Sequence, residues 1–178
     1  MFADLESQLD AADAGALAGE IADRSRREMA LVSVMDRLRA STGPITVGLP
    51  GHPAVCGSVG GLGADWVLLV DGAVEVVVVA AAATWLRGLP MQAEPLRSAL
   101  AARLDLGYVL RGVARDRAPV ALLLTDGSIA RGTIDRVGRD FVDLAEHDAD
   151  EPRRAEAVQS ARTVPFTALA AVRRADRP

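Results

Sequence analysis

The sequence predicts a mainly β protein with helices, built as two tandem five-stranded barrels, each preceded by a helix. Three observations carry that expectation: an internal repeat, short alternating apolar runs closed by turn residues, and a core-forming composition poor in large side chains. Of the 178 residues 50% are hydrophobic but only 3% aromatic, so many small aliphatic side chains must fill the core.

Internal self-similarity sets the frame. Sliding the chain by 75 positions lays Pro44–Leu69 on Pro119–Leu144 without a gap, with seven identities in 26 pairs. These are Pro44/Pro119, Leu49/Leu124, Gly57/Gly132, Gly63/Gly138, Asp65/Asp140, Val67/Val142 and Leu69/Leu144, where such a composition gives about two by chance. Upstream, Met29, Leu31, Val34, Met35 and Leu38 fall on Leu104, Leu106, Val109, Leu110 and Val113. Their helical spacing predicts a helix before each barrel. Downstream the offset grows to 86, placing Ala83, Leu86 and Arg87 on Leu169, Val172 and Arg173. The second copy therefore carries an 11-residue insertion within Ala145–Arg162, a polar stretch that reads as an exposed loop. The expected organisation is an acidic N-terminal helix (1–28), a first repeat (29–90), a linker and helix start (91–103) with Pro95 near that start, and a second repeat (104–178).

Within the second copy, Val120, Leu122 and Leu124 alternate with Ala121 and Leu123, as in a half-buried strand. Asp126-Gly127 follows, and both residues tolerate the positive φ of a tight hairpin. A second strand, Ile129–Val137, contains Gly132, where a barrel strand would bulge or bend. Gly138-Arg139-Asp140 turns the chain into a third strand, Phe141–Leu144; Arg162–Ala168 and Leu169–Arg174 supply the last two. In the first copy the third strand, Trp66-Val67-Leu68-Leu69-Val70, is apolar on both faces, whereas Asp143 stands at the position of Leu68. The first barrel is thus expected to be covered on both sides, by the N-terminal helix, the other barrel or a partner chain. Ala16–Ala40 reads as one long amphipathic helix with Leu17, Ile21, Leu31, Met35 and Leu38 on one side and Glu20/Arg24 and Asp23/Arg27 as supporting pairs.

Charge limits the partners. All 20 basic residues are arginine, against 24 acids. Residues 1–28 hold seven acids and three arginines, while 29–103 and 104–178 are each neutral. Polyanion affinity grows with the cations presented, so binding of nucleic acid by bulk charge is disfavoured. A lone Cys56 excludes a disulfide within the chain and suits a reducing compartment. The first residues are acidic and lack an apolar signal core, and the longest apolar run, Val76–Ala83, is far below the roughly 20 residues of a spanning helix. A soluble cytoplasmic protein with no membrane contact is the expectation.

The order helix, Val120-x-Leu122-x-Leu124-x-Asp126-Gly127, Gly132-x-Ile134, Asp140-Phe141-Val142-x-Leu144, Val164-Pro165 and Ala168-Leu169-x-x-Val172 resembles the Sm-like fold. That family includes the bacterial RNA chaperone Hfq and the Sm proteins of eukaryotic ribonucleoproteins. The resemblance covers 104–178 well and 29–90 more weakly. It implies two tandem Sm-like barrels, homo-oligomeric rings made by strand-edge pairing, and RNA as a partner. The family's basic or His-containing turn before the last strand is replaced here by Pro165-Phe166-Thr167-Ala168. The whole chain also resembles an actinobacterial protein type sometimes called a Fis-family transcriptional regulator. Fis proteins end in a helix-turn-helix, and this chain ends in strand-like sequence.

The best nucleic-acid candidates are Arg131, Arg136, Arg139 and Phe141, since guanidinium groups beside an aromatic suit stacking on unpaired bases. Asp135, Asp140 and Asp143 interleave with them. Other candidates are weaker. Gly57-Ser58-Val59-Gly60-Gly61-Leu62-Gly63 leads into a strand, and a phosphate cradle needs a helix N-terminus. His52 and Cys56 lack a third, orienting group. Glu146, His147, Asp148, Asp150 and Glu151 lack the spacing and glycine of a calcium loop. No catalytic residue, cofactor or metal is expected. The functional expectation is a non-enzymatic regulator associated with RNA or nucleoprotein; the rival is a protein-interaction scaffold that uses the N-terminal helix and the first barrel.

Overall fold

A computed structural model describes residues 19–20, 22–95, 104–147 and 160–174. The chain forms two compact units, Met1–Val34 and Met35–Pro178. In the first, residues 22–30 are helical, and Arg24 pairs with Glu28 at 3.0 Å and Arg26 with Asp23. The expected single helix over Ala16–Ala40 is corrected. Residues 31–33 leave the helix after the N–H groups of Leu31 and Val32 bond the carbonyls three residues back, on Glu28 and Met29. Such a tightened turn closes a helix, and Val32 and Ser33 are poor residues to continue one.

Helix α1 (Val34–Arg39) then leads into the first set of strands. Arg37 donates to the carbonyls of Pro90 (2.8 Å) and Leu89 (3.3 Å), and the Glu94 N–H bonds the Asp36 carbonyl at 2.9 Å. The start of the linker is thereby clasped to α1.

Strands β1 (Ile45–Leu49), β2 (His52–Leu62), β3 (Trp66–Asp71), β4 (Val74–Val79) and β5 (Trp85–Arg87) precede helix α2 (Leu106–Asp116). They are followed by β6 (Pro119–Leu124), β7 (Ile129–Val137), β8 (Phe141–Glu146), β9 (Ser160–Pro165) and β10 (Leu169–Arg174). The repeat register reappears in the ladders. Ile45 pairs Gly57 as Val120 pairs Gly132; Thr46 pairs Arg87 as Ala121 pairs Arg173. Each second strand carries a bulge at the same place, between Val59 and Gly61 and between Ile134 and Arg136. With the offset at 86, Trp66 pairs Val79 as Phe141 pairs Pro165, and a single 3-10 turn follows both β4 and β9. Most of the predicted 11-residue insertion lies outside the described residues.

The two expected five-stranded sets are not set apart from one another. All ten strands form one continuous antiparallel sheet, in the order β5-β1-β2-β3-β4-β10-β6-β7-β8-β9. The two sets are joined by the β4·β10 ladder, in which Val78, Val77 and Val76 pair Ala171, Val172 and Arg173. The physical reason is the two-faced apolar character of β3 and β4. Val67, Leu69, Val76 and Val78 fill the core of the first set, and Trp66, Val77 and Val79 fill that of the second with Leu106, Leu110 and Leu122. Ala170 and Ala171 of β10 reciprocate in the first core. Of the three covers foreseen for the first barrel, the second copy supplies one.

Helix α2 begins at Asp105, whose carboxylate accepts the Tyr108 N–H at 2.7 Å as an N-cap. The Trp66 indole N–H donates to the carbonyls of Leu104 (2.9 Å) and Asp105 (3.1 Å), binding β3 of the first copy to the start of the second copy's helix. At the other end the two hairpin tips meet: a Cβ on Gly51 (φ +69°) would lie 2.6 Å from the Gly127 Cα.

Two aspartates give the fold an acid response of opposite signs. At the β6–β7 turn the Ser128 hydroxyl and N–H, at 2.7 and 2.9 Å, hold the Asp126 carboxyl below its ordinary 3.8. The folded state thus binds this proton less tightly than the unfolded one. Its stabilisation is present above pH 3.8 and is lost as the pH falls through the lowered value. Asp65 is the reverse: desolvation, helped by the Asp105 charge, raises its carboxyl above 3.8 despite a bond from the Leu106 N–H. Stability from this group declines as the pH rises from 3.8 through the raised value. Thermal midpoints across pH 2.5–7 should therefore converge at low pH for D126A and wild type, whereas D65N should gain on wild type as the pH increases.

Candidate nucleic-acid interface

Gly138, Arg139 and Asp140 link β7 to β8, and the Gly138 N–H closes the turn on the Phe141 carbonyl at 2.8 Å. The Phe141 ring lies over Gly138, where a Cβ would come within 2.3 Å of it, so glycine leaves the space that the aromatic occupies. The Asp140 carbonyl accepts the Phe166 N–H at 2.7 Å. That bond fastens the Pro165–Ala168 turn beside this hairpin. Arg136 and Arg139 are exposed and Phe141 is half-buried, so three of the four proposed residues gather at the turn end of this hairpin.

Acids accompany these cations. Asp143 stands opposite Arg136 in the ladder and accepts the Thr163 hydroxyl at 2.6 Å; Asp135 accepts Arg117 at 3.0 Å. Arg131 is elsewhere. It lies five residues away along β7, about 16 Å at strand rise, and lines a cavity at the junction of the two copies. The first copy has Gly61, Ala64 and Trp66 at the positions of Arg136, Arg139 and Phe141. It therefore holds no basic equivalent, and its aromatic is spent in the core.

His52 and Cys56 sit four residues apart on β2, about 13 Å along the strand, well beyond the reach of a nucleophile and its base. His52 Nε2 is engaged with the Leu124 carbonyl at 2.8 Å. His147, in the acidic run, is buried with Nε2 2.8 Å from the Thr133 hydroxyl; Asp148, Asp150 and Glu151 lie outside the described residues. No group of three or more metal-ligating side chains occurs among the described residues, and among them no helix is long and apolar enough to cross a membrane. The glycines from Gly57 to Gly63 occupy β2 and its turn into β3, a strand-to-strand passage without a helix N-terminus. The residue that sequence reasoning missed is Arg173, which shares the junction cavity with Arg131. Its alignment with Arg87 was the only signal.

Comparison with protein-family models, with curated proteins and with solved structures gives no match.

Proposed function

We propose that this chain is a non-enzymatic, Sm-like subunit that carries two barrels, joins further copies of itself edge to edge, and acts as a regulator associated with RNA or ribonucleoprotein. The observation that carries the reading is the β4·β10 ladder: the edge pairing that the Sm resemblance implies between chains occurs here inside one chain. The same pairing leaves β5 and β9 as the two outer strands. β9 is the counterpart of β4, and β5 of β10. Repetition of the ladder between chains would set Thr163 of one chain opposite Leu86 of the next, as Val77 faces Val172. Phe141 also remains half-buried where its counterpart Trp66 is covered by the second copy. Three chains would then supply the barrels of a six-fold ring. Exposed Arg136 and Arg139 beside Phe141 are the surface offered to unpaired bases.

The test has two parts. Light scattering should return a multiple of 18.6 kDa, and a C56S/L86C/T163C chain should oxidise to inter-chain disulfides. A monomer without cross-links removes the edge-to-edge reading. Separately, protein purified in low salt should carry nucleic acid that leaves with salt. R136A/R139A should weaken single-stranded RNA binding roughly tenfold and flatten its salt dependence by about two charges. The interleaved acids Asp135 and Asp143 favour a second reading, a protein-interaction scaffold without nucleic acid; a clean protein that captures one defined partner and ignores RNA would select it.

A further inference from the structure

The junction of the two copies holds a cavity of about 450 Å3, within the range of small-molecule sites. Its floor is one register row. Leu69, Val76, Arg173, Ala121 and Arg131 are successive cross-strand neighbours on β3, β4, β10, β6 and β7, and neighbours in a row project to one face of the sheet. Val55, Val74, Leu123 and Ile129 complete an apolar wall, and Ile129 is 43% exposed. The two arginines stand two strand spacings apart, roughly 10 Å between Cα atoms, with only the Ala121 methyl between them. Arg131 makes no ion pair among the described residues. The lining's one carboxylate, Asp71, belongs to β3 at the far end of the row.

We infer that this cavity binds a small amphipathic anion, with its aliphatic or aromatic body on the apolar wall and a single carboxylate or phosphate head held by Arg131 and Arg173. Both arginine stems are long enough to bring their guanidinium groups to one oxyanion, each as a charge-assisted donor. Ala121 leaves room for the head between them, and a leucine or phenylalanine there would fill it. Asp71 at the opposite end disfavours a second negative group. The first copy cannot form the same site, because Cys56 replaces Arg131 in the equivalent row and Arg87 stacks over Trp85 at 5.4 Å. The site therefore comes into being only where the copies join, and it stands independently of RNA binding.

Cys56, the chain's single cysteine, is exposed and lines the cavity, so its reactivity reports occupancy. Reaction of the full chain with an aromatic disulfide reagent should slow saturably with octanoate or octyl phosphate. The head that half-saturates at lower concentration identifies the preferred anion. R131A should raise the half-saturating concentration roughly tenfold or more, the loss expected for a charge-assisted bond, and A121F should abolish protection. Calorimetric titration of R131A, a surface variant, keeps the test valid if A121F fails to fold. Equal protection by octanol or octyltrimethylammonium overturns the assignment of an anion, and absence of protection by either anion overturns the site.

Discussion

Gly132→Ala is expected to lower the unfolding free energy by about 3–5 kcal/mol, a large fraction of the roughly 5–15 kcal/mol of an ordinary domain. The glycine has φ +156°, and a Cβ built on it would lie 2.0 Å from the Ala145 carbonyl oxygen and 2.8 Å from its carbon. Both atoms are backbone of the paired strand β8, so no side-chain rotation relieves the overlap. Relief requires β7 to separate from β8 at this point. Gly112→Ala is the control: nothing lies within 4 Å of its Cβ and the residue is inside α2, so the substitution should stabilise by about 0.5–1 kcal/mol. Urea midpoints of the two variants on opposite sides of wild type would bear this out. A Gly132→Ala protein within 1 kcal/mol of wild type would show that this close approach of β7 to β8 does not need glycine.

Trp66→Ala should cost about 3–5 kcal/mol and should do so for both copies at once. The side chain is 7% exposed and belongs to the second core although it stands on a strand of the first. Its removal leaves a large void beside Leu106 and Leu110 and deprives the Leu104 and Asp105 carbonyls of the indole N–H. Trp66→Phe keeps most of the apolar area and loses the hydrogen bonds, so roughly 1–2 kcal/mol is expected. The only other tryptophan, Trp85, is 44% exposed, so wild-type fluorescence should report the junction through Trp66. Unfolding followed by that emission and by far-ultraviolet circular dichroism should coincide in one transition. Two separated transitions would mean that the shared strands do not make the copies one cooperative core.

Much of this arrangement was legible in the residues. The 75-residue offset placed Ile45 against Val120 and Gly57 against Gly132, and the ladders keep both equivalences. Alternation works because the side-chain period of a strand is two, so a one-residue slip would turn Val120, Leu122 and Leu124 outward. Asp126-Gly127 announced a turn, whereas the irregularity expected at Gly132 falls instead between Ile134 and Arg136. For the candidate interface, the grouping of Arg136 and Arg139 with Phe141 followed from adjacency in one hairpin. The separation of Arg131 from Arg136 followed as well, since both stand on the expected strand Ile129–Val137; that Arg131 lines a cavity with Arg173 did not, because that depends on how the two copies pair.

Local pattern therefore established which faces of each strand are apolar, where the chain turns, and that one template occurs twice. The folded chain alone could show that β4 takes β10 as its neighbour, that Trp66 is buried in the core of the other copy, and that Arg173 and Arg131 come to flank Ala121. The physical reason is that apolarity on both faces of β3 and β4 demands a cover but does not name one. Among the covers available, contact between strands about 95 residues apart is chosen by which free edge and which apolar surface fit together, and that is a property of assembled shape rather than of any local run of residues.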